Sequence, residues 1–218
     1  MKKLFVMFQF LVFAYSLTIA QSTMSVDLQK NSSITINGTT NVLSFKLTQN
    51  GEKLTKRNFI INATLNQNRI LLSQNEHAIV VRDFNSSNKM ALRDFLKLVN
   101  ADNYPAFHVK LNYFDLDPKT NNKELSRANV SLDLTITGKT KQYNILVESN
   151  HEGDLYRLNG IKKINIRDFG LVPPVEMMGL IRVNEWIEIN FNIICKISAY
   201  KTSPELNASN IVKASSVY

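Results

Sequence analysis

Cysteine, histidine, glycine and proline are all scarce in this chain. The 218 residues include 1 cysteine, 3 histidines, 7 glycines and 5 prolines. A single cysteine excludes an intrachain disulfide and any metal site built from several thiolates, and so few histidines leave little for a histidine-built zinc site. The scarcity of glycine and proline excludes collagen-like and low-complexity architectures. Apolar residues make up 44% of the chain and charged residues 20%, which is the composition of a folded protein.

Recognisable catalytic signatures are also missing. The sequence has no G-x-S-x-G, H-E-x-x-H or Walker-type motif. His77, His108 and His151 are far apart along the chain, and we interpret them as surface residues. Cys195 falls on the apolar face of a predicted strand, where a buried and inert thiol is expected. We therefore predict a protein that is not an enzyme, with no catalytic residues, no metal site and no cofactor; a hydrolase with an unrecognised site ranks last.

The first part of the chain, residues 1–20, has the pattern of a signal peptide. Lys2 and Lys3 precede an apolar run from Leu4 to Ile19, and Thr18 and Ala20 stand at the −3 and −1 positions of a cleavage site. We predict cleavage near Ala20 and a periplasmic or secreted protein; the alternative is an uncleaved membrane anchor. Residues 201–218 are small and polar and are predicted to form a flexible tail. Residues 21–200 are then interpreted as one domain.

Alternation of apolar and polar side chains dominates the remaining sequence. It runs through Phe107–Tyr113, Ser131–Thr137 and Ile187–Cys195, and it is typical of strands with one face on the core. Residues 87–100 instead place apolar side chains at helical spacing, with Ser87 or Asn88 as the cap. About nine strands and a single helix indicate an all-β chain, either a sandwich or a closed barrel.

Four stretches of the chain carry motifs in a distinctive order. They are Val26–Leu47 with a GTTNV turn, Met90–Leu111 with Tyr104-Pro105, Val130–Tyr143 with LTITGKTK, and Ile166–Ile193 with Asp168-Phe169-Gly170 and Pro173-Pro174. In this order they resemble the YceI-like family of exported lipocalin-type barrels, although the family's histidine-and-arginine signature before the helix is absent. The resemblance implies a single antiparallel lipocalin-like barrel of about eight strands with one short inserted α-helix.

The resemblance also implies an internal apolar cavity that binds long amphiphilic chains, such as polyisoprenoids, quinone tails or fatty-acid-like lipids. A lining with few polar groups suits an apolar tail. We expect the cavity to be lined by large side chains, namely Phe45, Phe59, Phe107, Phe169, Met178 and Trp186. Trp186 has an alternative place on the outer wall, because it lies opposite the Ile187 face. The alternative function is an envelope structural or interaction module with a packed core and no small-molecule ligand.

The positive net charge of the chain indicates which kinds of partner to expect. The formal net charge is +8, which favours contact with an anionic membrane surface, while export argues against nucleic acid. Lys162 and Arg167 flank the strand that leads to Asp168, so a pyrophosphate facing them is a weaker hypothesis. The expected partners are a long-chain isoprenoid or other lipid, an anionic membrane surface, and a second copy of the chain in a homodimer.

Overall fold

A computed structural model describes residues 21–54, 58–117, 126–176 and 180–200. The predicted signal peptide, the predicted tail and Met178 lie outside the described residues. The strands are β1 (Gln21–Leu28), β2 (Ser33–Thr39), β3 (Ser44–Asn50), β4 (Asn58–Asn66), β5 (Arg69–Ser73), β6 (Glu76–Val80), β7 (Ala106–Leu116), β8 (Ser126–Ile136), β9 (Lys139–Glu152), β10 (Leu155–Asn165), β11 (Val175–Glu176), β12 (Ile181–Arg182) and β13 (Trp186–Ala199). An α-helix, α1 (Lys89–Leu98), separates β6 from β7.

Eight of these strands close into an antiparallel barrel. Their order around the ring is β1, β4, β5, β7, β8, β9, β10 and β13, and β13 pairs again with β1. This arrangement confirms the predicted all-β barrel. Closure removes the exposed strand edges that an open sheet would leave.

Two further pairings extend the wall at one end of the ring. The β2–β3 hairpin pairs with the first half of β13 through Glu188–Asn192, while β1 takes the second half through Cys195–Ala199. Strand β6 pairs with the first half of β7, and β5 takes the second half. Both long strands therefore exchange one neighbour for another midway along their length.

Antiparallel pairing brings four connections to this same end, which we call the helix end. They are residues 40–43, residues 81–105 with α1, the turn at residues 137–138, and the described residues between β10 and β13. Hydrogen bonds tie them together: the Asn184 amide donates to the Thr39 carbonyl over 2.8 Å, and the Thr137 hydroxyl donates to the Phe169 carbonyl over 3.3 Å. The connections therefore hold one another in place.

Helix α1 starts at the predicted cap. The Asn88 side-chain oxygen accepts a hydrogen bond from the Ala91 amide over 3.0 Å, which satisfies one of the free N–H groups of the first turn. The apolar face of α1 packs on the barrel core, where the Phe95 ring meets those of Phe84 and Phe107 at 5.6 and 6.1 Å between centroids. Burial of this face anchors the helix to the end of the barrel.

A β-bulge interrupts the alternation predicted for β7. Leu111 pairs with Leu132 and Tyr113 pairs with Ser131, so Asn112 is an extra residue. Beyond the bulge the inward positions are Phe114 and Leu116. Tyr113 therefore does not share the Phe107 face, as strict alternation predicts, but lies under the Arg69 guanidinium at 4.1 Å.

The bulge is fastened by a buried side chain. Asn75, 2% exposed, donates to the Leu111 carbonyl over 2.8 Å and accepts from the Leu111 amide over 2.6 Å. Both backbone groups of Leu111 are thus bonded by one carboxamide. Asn75 takes the place of a strand partner where β5 gives way to β6.

Replacing Asn75 should destabilise the barrel. Asn75→Ala removes two hydrogen bonds and leaves the partly buried N–H and C=O groups of Leu111 without these partners, so we expect the free energy of unfolding to fall by about 2–4 kcal/mol in urea titration. Asn103→Ala, which removes an exposed amide contact with Asn100, is the control and should change stability by less than about 0.5 kcal/mol. Equal stabilities for the two variants would contradict this role for Asn75.

Candidate functional site

The inner faces of the strands enclose a cavity of about 570 Å³. This is within the range of roughly 300–1,000 Å³ that small-molecule pockets occupy. Its wall is formed mainly by aliphatic and aromatic side chains from all eight ring strands. Alternation accounts for the lining, since every second residue of a strand faces the inside. Strand β13 alone contributes Ile187, Ile189, Phe191, Ile193, Cys195 and Ile197.

Two glycines make room for phenylalanine rings on the wall. Gly38 pairs with Phe45, and Gly160 pairs with Phe191. A Cβ atom on Gly38 would lie 2.2 Å from the Phe45 ring, and one on Gly160 would lie 2.3 Å from the Phe191 ring. Each ring therefore fills the space that a side chain would take on the neighbouring strand. A larger residue at either glycine would push the ring toward the cavity.

Three of the side chains predicted to line the cavity lie on its wall. They are Phe45 on β3, Phe59 on β4 and Phe107 on β7. The Phe59 ring packs against the His77 ring with 4.1 Å between centroids. Contact of these three residues with a ligand stays a prediction.

The structure places the other two described candidates elsewhere. Phe169 is 1% exposed and belongs to the packed core at the helix end, in the turn that Gly170 ends with a φ of 72°. Trp186 is 44% exposed and lies outside the barrel, where the Lys163 ammonium is 5.5 Å from its ring. Neither is among the residues that line the cavity, which corrects the prediction. The outward position of Trp186 follows from alternation, because the next residue, Ile187, faces inward.

Lys162, which the sequence suggested only as one side of a pyrophosphate site, was not among the residues predicted to line the cavity. Lys162 lines the cavity beside Tyr143, and its cross-strand partner on β13 is Ile189. Its ammonium donates to the Asn144 carbonyl over 2.9 Å and lies 5.6 Å from the Tyr143 ring. The sequence does indicate this position, because Lys162 shares the alternating face of β10 with the apolar residues Leu158 and Ile164. Arg167, the other basic residue of the pyrophosphate hypothesis, is exposed and forms an ion pair with Glu185.

Burial and a neighbouring carboxylate alter two ionisable groups of the wall. The Tyr143 hydroxyl donates to an Asp168 carboxylate oxygen over 3.2 Å. Burial, together with the Asp168 charge, raises the pKa of Tyr143 to about 12. Burial also raises the pKa of the Cys195 thiol to about 11. Both groups are therefore neutral at physiological pH, and Cys195 is a poor nucleophile.

The histidines occupy separate environments. The His108 ring nitrogen lies 3.1 Å from a Glu76 carboxylate on the outer surface, and the His151 ring packs at 5.7 Å from Tyr156. His77 faces the cavity beside Phe59, so its interpretation as a surface residue is wrong; it lies on the apolar side of β6, which alternates with the outward side of Glu76. Over the part of the chain that the structure describes, no group of three or more histidine, cysteine or acidic side chains is arranged to hold a metal ion.

The cavity reaches the surface beside α1. Leu43 and Met90 both line it, yet they are 47% and 58% exposed. They stand on the turn between β2 and β3 and at the start of α1. The mouth of the cavity therefore opens at the helix end. Within the described residues, no helix has the length and apolar character needed to cross a membrane.

Comparison with known proteins places the chain in a family. The sequence model of the YceI-like domain matches residues 15–195, which is most of the chain. The chain belongs to the YceI-like family. The YceI-like barrel resembles BcnA of Burkholderia cenocepacia, with 16% identity and a TM-score of 0.56 over 75% of this chain and 95% of that one. No match was found among the curated proteins.

A second solved structure has a similar barrel. It is a polyisoprenoid binding domain from Saccharophagus degradans implicated in plant cell wall breakdown, with 10% identity and a TM-score of 0.54 over 80% of this chain and 98% of that one. At this identity the likeness shows that the YceI-like protein shares the fold. The cavity itself is established by the geometry of this chain.

Titration of the single thiol checks the interior of the barrel. Because burial raises the pKa of Cys195 in the folded protein to about 11 from its ordinary value of 9.0, its contribution to stability is fully present below pH 9 and is lost as pH rises toward 11. We expect thiolate absorbance to appear at the higher pH in the folded protein and near pH 9 in guanidinium chloride. Coincident titrations of the two states would contradict the buried environment.

Proposed function

We propose that this YceI-like protein holds a long apolar or amphiphilic chain in its barrel cavity: a polyisoprenoid, a quinone tail or a fatty-acid-like lipid. The apolar lumen carries this proposal. A compact polar substrate would find few partners there, whereas an alkyl or prenyl tail gains free energy from leaving water. Each buried CH₂ contributes about 0.8 kcal/mol, so ten of them supply about 8 kcal/mol before the cost of association.

The comparison supports the isoprenoid among these classes. The Saccharophagus degradans protein with the similar barrel is a polyisoprenoid binding domain. The open lumen argues against the alternative of a packed module without a ligand. We propose binding rather than catalysis, because the cavity brings together no nucleophile and base among the residues described.

Filling the lumen tests the proposal. Ala63 is 4% exposed on the cavity wall, so Ala63→Phe places a ring in the space that a tail would occupy. We expect geranylgeraniol binding to weaken at least about tenfold, the equivalent of about 1.4 kcal/mol. Native mass spectrometry of protein purified from its own envelope should show a bound lipid in the wild type and much less in the variant.

The matched control adds the same ring outside the barrel. Ile60 lies three residues before Ala63 on β4, on the outer face, and is 41% exposed, so Ile60→Phe should bind geranylgeraniol as the wild type does. Melting temperatures show that both variants are folded. A wild type that is always ligand-free and binds no probe would refute lipid binding.

We further propose that the protein acts outside the cytoplasm and meets its lipid at an anionic membrane surface. Around the mouth lies an exposed apolar rim, formed by Val42, Leu43, Met90, Val172, Val175 and Leu180. Leu180 and Val172 are 71% and 70% exposed. Apolar side chains that are exposed together in this way mark a surface that contacts a membrane or another protein. Exposed lysines at the same end, Lys46, Lys89 and Lys139, suit anionic head groups. A homodimer stays a prediction.

Charges on the rim should weaken membrane contact. Val42→Asp with Leu180→Asp removes two exposed apolar side chains and adds negative charge, so we expect cosedimentation with phosphatidylglycerol vesicles to fall at least about tenfold. Ile161→Asp, at a 62% exposed position on the outer wall, is the control and should retain binding. Equal loss in both variants, or no wild-type binding, would count against the rim.

A further inference from the structure

A cation stands on an otherwise apolar inner surface. Among the described strand residues that line the cavity, Lys162 is the only lysine or arginine. The side chains next to it around the wall are aliphatic: Ile189 on β13 is its direct partner, Ile36 on β2 is the next, and Leu47 on β3 follows. Lys162 is half-buried, and these aliphatic neighbours offer its ammonium no hydrogen-bond acceptor. A residue that breaks the local pattern in this way points to function.

The Lys162 ammonium has hydrogen-bond donors that the protein does not use. One N–H donates to the Asn144 carbonyl over 2.9 Å, and an ammonium carries three such donors. No carboxylate of the described residues lies within 4.0 Å of it. Asp168 is engaged by the Tyr143 hydroxyl and is exposed, so water screens its charge. Two donors and an unbalanced positive charge therefore remain for an oxyanion.

The position of Lys162 also matches the geometry of an amphiphile. Lys162 is level with Leu47, and Leu43 at the mouth stands four residues before Leu47 in the chain. At about 3.3 Å per residue, the lysine is about 13 Å from the mouth when the distance is measured along the strand. The wall on the opposite side of Lys162 from the mouth is apolar, with residues such as Leu158, Val147 and Ile193. A ligand whose head meets Lys162 can therefore extend its tail along the apolar wall.

We propose that Lys162 binds the negatively charged head group of the chain that occupies the cavity, a phosphate or a carboxylate. This inference rests on the proposed function and adds the chemical class of the ligand head. The Lys162 ammonium donates hydrogen bonds to the head-group oxygens, while apolar contact holds the tail. Tyr143, protonated at physiological pH and beside the ammonium, closes one side of the head-group position.

The adjacent residue provides a matched control. Lys163 has the same side chain on the same strand but faces outward, with its ammonium over the Trp186 ring. Lys162→Met removes the inner charge and keeps an unbranched apolar side chain. Lys163→Met makes the same change on the outer surface. Lys162→Arg keeps the charge at the inner position.

The experiment measures the preference for a charged head in two pairs of probes. One pair is geranylgeranyl phosphate and geranylgeraniol, and the other is palmitate and hexadecanol. Because hydrogen bonds to charged groups are strong, we expect the wild type to bind at least one anion about tenfold more tightly than its alcohol. Lys162→Met should lose this preference and bind the alcohols as before. Lys163→Met and Lys162→Arg should retain it.

The outcomes separate the head-group proposal from lipid binding. A preference in the phosphate pair alone assigns an isoprenyl phosphate, one in the carboxylate pair alone assigns a fatty acid, and either supports the proposal. A wild type without preference, or a Lys162→Met variant that retains it, overturns the role of Lys162 but leaves tail binding intact. Failure of the wild type to bind any of the four probes overturns the proposed function as well. If Lys162→Met fails to fold, Lys162→Gln supplies the uncharged variant.

Discussion

The pairing of β13 with β1 is the constraint on which the cavity depends. It joins Met24 to Ala199 at one limit and Leu28 to Cys195 at the other, and it turns a sheet into a closed wall. Within such a wall each strand has only an inside and an outside, so a period of two in the sequence separates an apolar lumen from a wet surface. Without this seam the same side chains would line one face of an open sheet and would have to be covered by other means.

Much of this arrangement was predictable from the sequence, because alternation is a local property. Ile187, Ile189 and Phe191 lie on the wall as the pattern predicts, and α1 begins at the cap residue Asn88. The family resemblance supplied closure, which alternation alone left open between a sandwich and a barrel. Phe45, Phe59 and Phe107 face the cavity because each belongs to the apolar side of a regular strand.

The rest depends on interactions that are distant in sequence. The bulge in β7 is held by Asn75, some thirty-six positions away, so the Phe107 pattern could not show that Tyr113 would turn outward. Phe169 belongs to a turn, where alternation gives no side, and tertiary packing places it in the core. Lys162 interrupts the apolar face of β10 in the sequence itself. A single lysine suggests a function only once the surrounding wall is known to be closed and apolar.

The number of partners of β13 has a consequence for how the chain folds. Strand β13 pairs with β10, with β1 and with β2, and its partners on β1 are more than 160 positions earlier in the sequence. Contacts of such separation form slowly. A nascent chain emerging from the ribosome has no complete wall until residues 186–199 have been synthesised. Until then the edges of β1 and β10 that pair with β13 in the finished barrel have no partner strand.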